Sequence, residues 1–469
     1  MIQLLAQYTK ELRAYHTKLS PKKPPPLRLF ITGGAGTGKS HTITACTQYL
    51  LRSSPQSLQI LTAPTGVAAY NINGITLHKA LNLPVKHHKS ANYQPLKGEK
   101  LADLRKLWKN IHYLIIDEIS MVSIKTFTII HQRLTEILAT DNTDQLFAGI
   151  SILAFGDFLK LKPVMGKYIF ATPTPDTTIH LWKDVFTLLE LQTNYRQASD
   201  QSYAQLLNRF RLGLHTTHDM QTLHERLLTP AALNQSPFHT AIRLYPTNKQ
   251  CHQHNQAKIS EQHHQHTLHA TDSITNNCTP PKTLQELLPT DERDCAALIH
   301  PLVLAPGATV MLIRYLDTTV GLVNGATGTV TEIIPNTNIN NSTVLITFHK
   351  QQIGNKYKTS TKHPNAIPIQ PITATFYGKY NTTINITQFP LKLCCATTIH
   401  KMQGTSLDSA VLDLGPKMFT SGMAYVALSR VRNMSGLVIT HIQKKSPGFA
   451  ASKSALQEMK RLRQTTTLR

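Results

Sequence analysis

The stretch GGAGTGKS, Gly33 to Ser40, lies between the apolar run RLFIT and a segment that places Ile43, Leu50 and Leu51 on one helical face. A loop rich in glycine between a strand and a helix can turn its backbone N–H groups inward on phosphate oxygens. The start of the helix adds the positive end of its dipole. Gly33, Gly34, Ala35, Gly36, Thr37 and Gly38 would form that cradle, Lys39 would reach the β- and γ-phosphates, and the Ser40 hydroxyl would ligate Mg²⁺. A second apolar run, YLIIDE, ends in Asp117 and Glu118. Two adjacent carboxylates at the end of a buried strand are costly without a partner or a task. In the chemistry of phosphate transfer Asp117 would hold the metal, directly or through water, and Glu118 would activate the attacking water. Capping of the next helix would account for one of the two carboxylates, but poorly for both. Loop and acidic pair together point to hydrolysis of a nucleoside triphosphate.

These groups need a scaffold that brings strand ends together. Short apolar runs recur at 28–32, 58–64, 113–118 and 150–157, with helical spacing between them. Ile124, Phe127, Ile130, Leu134 and Ile137 repeat at intervals of three and four, as on an amphipathic helix. Strands apolar on both faces that alternate with helices predict a parallel sheet covered on both sides. The pattern resumes at 241–247, 410–414 and 436–442, which predicts a second α/β segment. It is interrupted from about 301 to 390 by a stretch rich in Thr, Asn, Val and Ile, with turn signals at Asn324-Gly325 and Pro335-Asn336, and this reads as a β insertion. A shorter basic and polar excursion covers about 73–109, with one helix near Leu101 to Trp108, and the chain closes on a basic tail, KSALQEMKRLRQTTTLR.

The 469 residues exceed what one compact core holds, so two or more domains are expected. Lys plus Arg less Asp plus Glu is 49 − 26 = +23, a field that suits a polyanion such as nucleic acid, although a generally basic protein would carry it too. No run of eighteen apolar residues argues for a membrane span, and the first residues lack the layout of a secretory signal. An intracellular, reducing setting is expected. Cys46, Cys251, Cys278, Cys295, Cys394 and Cys395 have neither zinc-site spacing nor the look of a disulfide framework. The histidines between Cys251 and His269 show no ordered ligand spacing and read as a solvated connection rather than a metal site.

Further blocks occur in order along the chain: APTGVAA, IIDEISMVS, GDFLKLKPV, LQTNYRQ, RLYPTN, GLVNGATGTV, QFPLKL, TIHKMQG and VALSR. From about Leu29 to Ile442 the sequence resembles the petite-integration-frequency (Pif-type) DNA helicases, the 5′-to-3′ branch of superfamily 1, and especially compact viral or mobile-element forms. The resemblance implies an α/β fold of two RecA-like P-loop domains with ATP in the cleft between them and single-stranded DNA across their tops. The first domain (1–190) would carry a small pin-type insertion at about 73–109. The second (191–300 and 391–445) would carry an SH3-like β insertion at 301–390, and 446–469 would be the basic tail. Arg196 and Arg430 match the family's two arginines for transition-state charge, and Gln403 and Gly404 would line the nucleotide. Pro64, Thr65, Gly66, His78, Thr398, His400 and Lys401 match positions that touch DNA. ATP and Mg²⁺ are the implied cofactors, and single-stranded and forked DNA, with other replication proteins, the implied partners. A monomer without a membrane partner is expected, acting in DNA replication, repair or recombination in a nucleus or a viral or mobile-element replication compartment. Polarity and the preference for DNA rest on the resemblance alone.

The sequence departs from the family at two places. Gln3 and Gln7 offer no clear match to the segment that reads adenine. Position 160, where the family carries a glutamine near the γ-phosphate, is Lys160. A lysine about 4 Å from a phosphate is attracted by about 4 kcal/mol at an effective dielectric of 20, with little directionality. An amide gives a directional bond of about 1.5–3 kcal/mol. Three readings follow. Lys160 senses phosphate by charge, it turns outward to DNA, or it marks a weakly coupled enzyme, either a DNA-stimulated translocase that unwinds poorly or a nucleotide-switched DNA-binding scaffold.

Overall fold

The computed structural model describes residues 1–53, 58–84, 93–138, 145–172, 179–274, 284–287, 298, 301–358, 362–377 and 382–467. Cys278, Cys295 and residues 85–92 of the expected first insertion lie outside them. The chain divides into two compact units: residues 1–228, 402–408 and 414–469 form the first, and 229–401 with 409–413 the second. The segments 191–228, 402–408 and 414–445, which chain order groups with the second α/β segment, therefore pack with the first.

The first unit is built on a six-stranded sheet. Its strands are β1 (Arg28–Thr32), β2 (Leu58–Ala63), β3 (Ile75–Thr76), β4 (Ile111–Ile116), β5 (Ser151–Gly156) and β6 (Thr187–Glu190), in the order β3-β2-β4-β5-β1-β6. All pairings are parallel. Side chains alternate across the pleat, and both faces are apolar. Phe30, Leu114, Ile116, Ile152 and Ala154 enter one core cluster, while Leu29, Ile31, Tyr113, Ile115, Leu153 and Phe155 enter the other. Helices α1 (Ile2–His16) and α2 (Lys39–Ser53) cover the second cluster through Leu5, Tyr8, Leu12, Ile43, Cys46 and Leu50. Helices α3 (Gly66–Asn71), α4 (Leu77–Leu81) and α5 (Glu99–Trp108) follow β2 and β3, and α6 (Ile124–Leu138) packs Phe127, Ile130 and Leu134 into the first cluster. After β6 come α7 (Gln201–Leu212) and α8 (Thr217–His224). Asp219 caps α8 reciprocally with Thr216 and pairs with Arg209 of α7.

The expected basic tail proves to be a helix, Lys453–Thr467, docked in the core. Ala455, Met459 and Leu462 join the first cluster, and the buried Glu458 accepts a hydrogen bond from Trp182 Nε1 at 3.0 Å. Spacings of four and three make these apolar residues one stripe among the charges.

In the second unit, strands 243–245, 396–398 and 410–414 pair in parallel, with 243–245 in the middle. The region from 301 to 390 is antiparallel β, as expected. Strands 367–369, 343–348, 327–334, 309–312 and 391–393 lie side by side, and a three-stranded sheet joins 372–377, 383–388 and 271–274. The histidine-rich segment is largely helical, Asn248–Ser260, capped by Thr247 and anchored by the buried Cys251 and Ile259. It is structured rather than a solvated connection. Among the described residues no His, Cys, Asp or Glu cluster is suited to a metal ion, and no helix is long and apolar enough to cross a membrane.

Candidate active site

Parallel strands present all their carboxyl ends at one edge of the sheet, and ligands bind there. Because β4, β5 and β1 are adjacent, three loops meet at that edge: Asp117-Glu118 after β4, Asp157 to Lys160 after β5, and the glycine-rich loop after β1. One cavity is lined by Ala35 to His41, Ala68, Asn71, Asp117, Glu118, Lys160, Arg196, Gly404 and Arg430, all residues of the first unit. It brings together the catalytic set expected from sequence. Ala68, Asn71 and His41 were not anticipated there.

The loop is held from outside as well as within. Gly36 has φ +82°, and a Cβ there would collide with Arg196 Cβ and Asn194 Oδ1, both at 2.5 Å. The NYRQ segment leans this closely because Tyr195 N and Arg196 N both donate to Gly36 O, at 2.8 and 3.2 Å. Lys39 Nζ donates to Gly33 O and Gly34 O, each at 2.7 Å. Burial, followed by the nearby Lys160 charge, pushes the Lys39 ammonium down to about 8.

Glu118 is 6% exposed and sits in the left-handed region, φ 49°, a strained conformation of the kind that gathers at functional sites. Its Oε1 accepts from Lys160 Nζ at 2.6 Å, and its Oε2 from Gln403 Nε2 at 3.3 Å. Burial alone would raise this carboxyl. The Lys160 charge and hydrogen bond outweigh burial and hold it below the usual range. Asp117, 7% exposed, is pushed up to about 6 by burial and by Glu118, and its Oδ1 accepts the Glu118 N–H at 2.8 Å.

Lys160 is 4% exposed and turned into the site, which removes the reading in which it faces DNA. Arg430, 2% exposed, is held by four oxygens: Val426 O (2.7 Å), Met402 O (3.1 Å), Thr405 O (2.7 Å) and Ser429 Oγ (2.7 Å). Burial, then Arg196, pushes it down to about 10.

Sequence reasoning missed a second layer. Asp157, fully buried, accepts from Arg211 Nε and Nη2, both at 2.9 Å, and from Tyr425 OH at 3.3 Å; Tyr425 OH in turn accepts from Ala35 N at 2.7 Å. Burial would raise Asp157, but Arg211 holds it below the usual range. Tyr425 immediately precedes the quoted VALSR block, whereas Arg211 had no local signal.

Gln3 and Gln7 are exposed on α1, and Gln7 bonds Glu11 at 2.6 Å; neither lines the cavity. In the first unit, Pro64, Thr65 and Gly66 follow the carboxyl end of β2. Thr65 caps α3 through Ala68 N, and half-buried His78 is on α4. In the second unit, buried Thr398 ends a strand, followed by half-buried His400 and exposed Lys401.

A parallel sheet with a phosphate loop on one strand, an acidic pair on another and arginines at one cavity defines a RecA-like P-loop nucleotide-binding protein. The profile described as PIF1-like helicase matches residues 17–220, and that of the DNA helicase Pif1 2B domain matches residues 296–333. ATP-dependent DNA helicase PIF1 of Xenopus laevis is 30% identical over 459 residues, covering 93% of this chain and 63% of the relative. Its human counterpart is 31% identical over 427 residues, 87% of this chain and 57% of the relative. The chain is similar to the PIF1-like helicases over most of its length, and it spans about three fifths of the length of these relatives. The fold is that of Pif1 from Candida albicans (TM-score 0.68, 24% identity, 97% of this chain and 98% of the other). It is also that of a Bacteroides Pif1 in complex with ADP-AlF3 and single-stranded DNA (TM-score 0.69, 24% identity, 97% of each). Two RecA-like domains are thereby established. None of these relatives is viral or from a mobile element, so that part of the expected resemblance gains no support.

Proposed function

We propose that the chain is an ATP-dependent DNA helicase that moves 5′-to-3′ on single-stranded DNA and opens forked duplexes. The observation that carries this reading is the convergence of Lys39, Glu118, Arg196 and Arg430 on one cavity beside the phosphate loop. In hydrolysis, a water oxygen bonds to the γ-phosphorus, the bond from that phosphorus to the β,γ-bridging oxygen breaks, and Glu118 takes the water's proton, leaving ADP and inorganic phosphate. Lys39 neutralises the β- and γ-oxygens, and Arg196 and Arg430 stabilise the charge that develops on the transferred group. The fixed carbonyl cage of Arg430 keeps that guanidinium preorganised. A divalent cation suits the donor set. Asp117 is a buried carboxylate with no ion-pair partner among the described residues, and Ser40 lines the same cavity. Mg²⁺ held by Ser40 and Asp117 would bridge phosphate oxygens and withdraw their charge.

DNA reaches this chain by analogy with relatives described as bound to single-stranded DNA and as unwinding DNA at forked duplex, and the +23 charge is consistent with it. Pro64, Thr65, Gly66, His78, Thr398, His400 and Lys401 are the proposed contacts. They sit at or near the carboxyl ends of strands, apart from His78 on its short helix. We assign the antiparallel region 301–390 as the SH3-like accessory insertion and 73–109 as the pin-bearing one. The motor is taken to act as a monomer within a cell, alone or with other replication proteins. The Lys160–Glu118 ion pair favours a second reading, a DNA-stimulated ATPase that unwinds weakly.

The test is ATP turnover with and without single-stranded DNA, together with unwinding of a fork bearing a 5′ tail. DNA-stimulated turnover abolished by Lys39→Ala, with unwinding, supports the helicase. Stimulated turnover without unwinding selects the translocase, and no stimulation overturns both.

A further inference from the structure

Glu118, the base of the proposed reaction, has both carboxylate oxygens engaged. Lys160 Nζ holds Oε1 at 2.6 Å and Gln403 Nε2 holds Oε2 at 3.3 Å. A carboxylate engaged in this way is not free to turn toward an attacking water, because turning means giving up a charge-assisted bond. Lys160 is the sole cation in an ion pair with Glu118 among the described residues, and it lines the same cavity as the phosphate loop. Arg430 is held by backbone and hydroxyl oxygens and Lys39 by the carbonyls of Gly33 and Gly34, and neither is paired with Glu118 among the described residues.

The ammonium is a point charge on a flexible stem, able to exchange one anion for another. A triphosphate's terminal phosphate carries more than one negative charge, whereas the Glu118 carboxylate carries one. At similar distance the phosphate is the stronger attractor. The backbone beneath Lys160 is fixed. Gly422, at φ +81°, fits so closely that a Cβ would meet Leu159 O at 2.8 Å and Lys160 O at 3.1 Å. The helix that starts there, Met423–Leu428, carries Tyr425 and leads to Arg430. The side chain can thus swing between partners while its anchor stays packed on the element that positions Arg430.

Resting on the helicase reading above, we propose that Lys160 is a positioning residue that restrains Glu118. It keeps the base paired in those triphosphate-bound molecules where the ammonium has not moved to the γ-phosphate, and this partition between the two anions limits idle hydrolysis. A family glutamine at this position would have no charge with which to impose that restraint.

The experiment measures steady-state ATP turnover of the full chain without DNA for wild type, Lys160→Gln and Lys160→Arg. The expected result is that Lys160→Gln raises DNA-free kcat by about tenfold while KM for ATP rises severalfold, because a ground-state contact to phosphate is lost together with the restraint. Lys160→Arg, which retains a cation, should show no such rise in DNA-free kcat. A purely structural lysine would not yield a faster enzyme. A DNA-free kcat in a folded Lys160→Gln at or below the wild-type value overturns the proposal. If that variant fails to fold, Glu118→Gln supplies the second measurement. Freed from its partner, Lys160 should raise the affinity for the β,γ-imido analogue of ATP relative to ADP by at least about fivefold, and an unchanged ratio overturns the proposal. Wild type without DNA stimulation would refute the helicase reading separately, since the restraint is scored entirely without DNA.

Discussion

Two buried carboxylates lie one strand apart at the same edge of the parallel sheet and are held in opposite styles. Asp157, after β5, is gripped by the two-pronged Arg211 guanidinium, receives Tyr425 OH and caps Leu159 N. Glu118, after β4, has one lysine and one long amide contact. Bidentate guanidinium pairing fixes geometry and is difficult to exchange, whereas an ammonium contact is strong but not directional. The first carboxylate ties the phosphate loop to neighbouring elements through Tyr425 and Ala35. The second is left able to change partners. Burial and charge are alike at the two sites, so coordination number and shape separate scaffold from chemistry.

The largest expected effect sharpens the chemical side of the contrast. Glu118→Gln should lower DNA-stimulated turnover by about 10³-fold, on the order of 4 kcal/mol of transition-state stabilisation, with a nearly native melting temperature. Arg211→Ala should do the reverse. By leaving Asp157 buried and unpaired it should destabilise the first unit by about 3–5 kcal/mol in denaturant titration. Lys160→Met leaves Glu118 with only Gln403, and its loss should be smaller, about 1–3 kcal/mol, since that carboxylate adjoins an open cavity. A stability loss from Lys160→Met equal to that from Arg211→Ala would break the contrast.

The smallest effect concerns a third carboxylate. Asp219 pairs with Arg209 and caps α8, but the Arg209 side chain is 36% exposed, so screening reduces the worth of the pair. Asp219→Asn should cost about 1 kcal/mol. Asp219 is held down to about 2 by the Arg209 hydrogen bond, against an ordinary 3.8. A carboxyl lowered on folding contributes stability that is complete above its unfolded value and is lost as pH falls through the folded one. Wild type should therefore lose this contribution between about pH 4 and pH 2, and Asp219→Asn should show a shallower acid slope there.

Much of the active site could be read from sequence because its parts are local. Strand–loop–helix around GGAGTGKS and the acidic end of YLIIDE are contiguous, and the predicted strands at 28–32, 58–64 and 150–157 fall within a residue of the observed ones. What escaped depends on distant pairing. The partner of Lys160 is 42 residues away and that of Asp157 is 54 away, and no local pattern marks either. The docked terminal helix was obscured by its charges, although Ala455, Met459 and Leu462 carried a readable stripe. Grouping by chain order also missed that 402–408 and 414–469 return to the first unit, because such a return is set by tertiary contacts rather than composition.

That docked helix has a consequence for how the molecule is made. The apolar cluster on one side of the nucleotide-binding sheet is closed by Ala455, Met459 and Leu462, and Glu458 is the hydrogen-bond acceptor for buried Trp182. These residues are synthesised more than 250 positions after the strands they cover. The second unit, by contrast, is complete by residue 413. The nascent chain must carry an unfinished first unit, with an open apolar face, throughout the synthesis of its insertion. Its exposure to chaperones and to aggregation is therefore set by translation time as much as by thermodynamic stability.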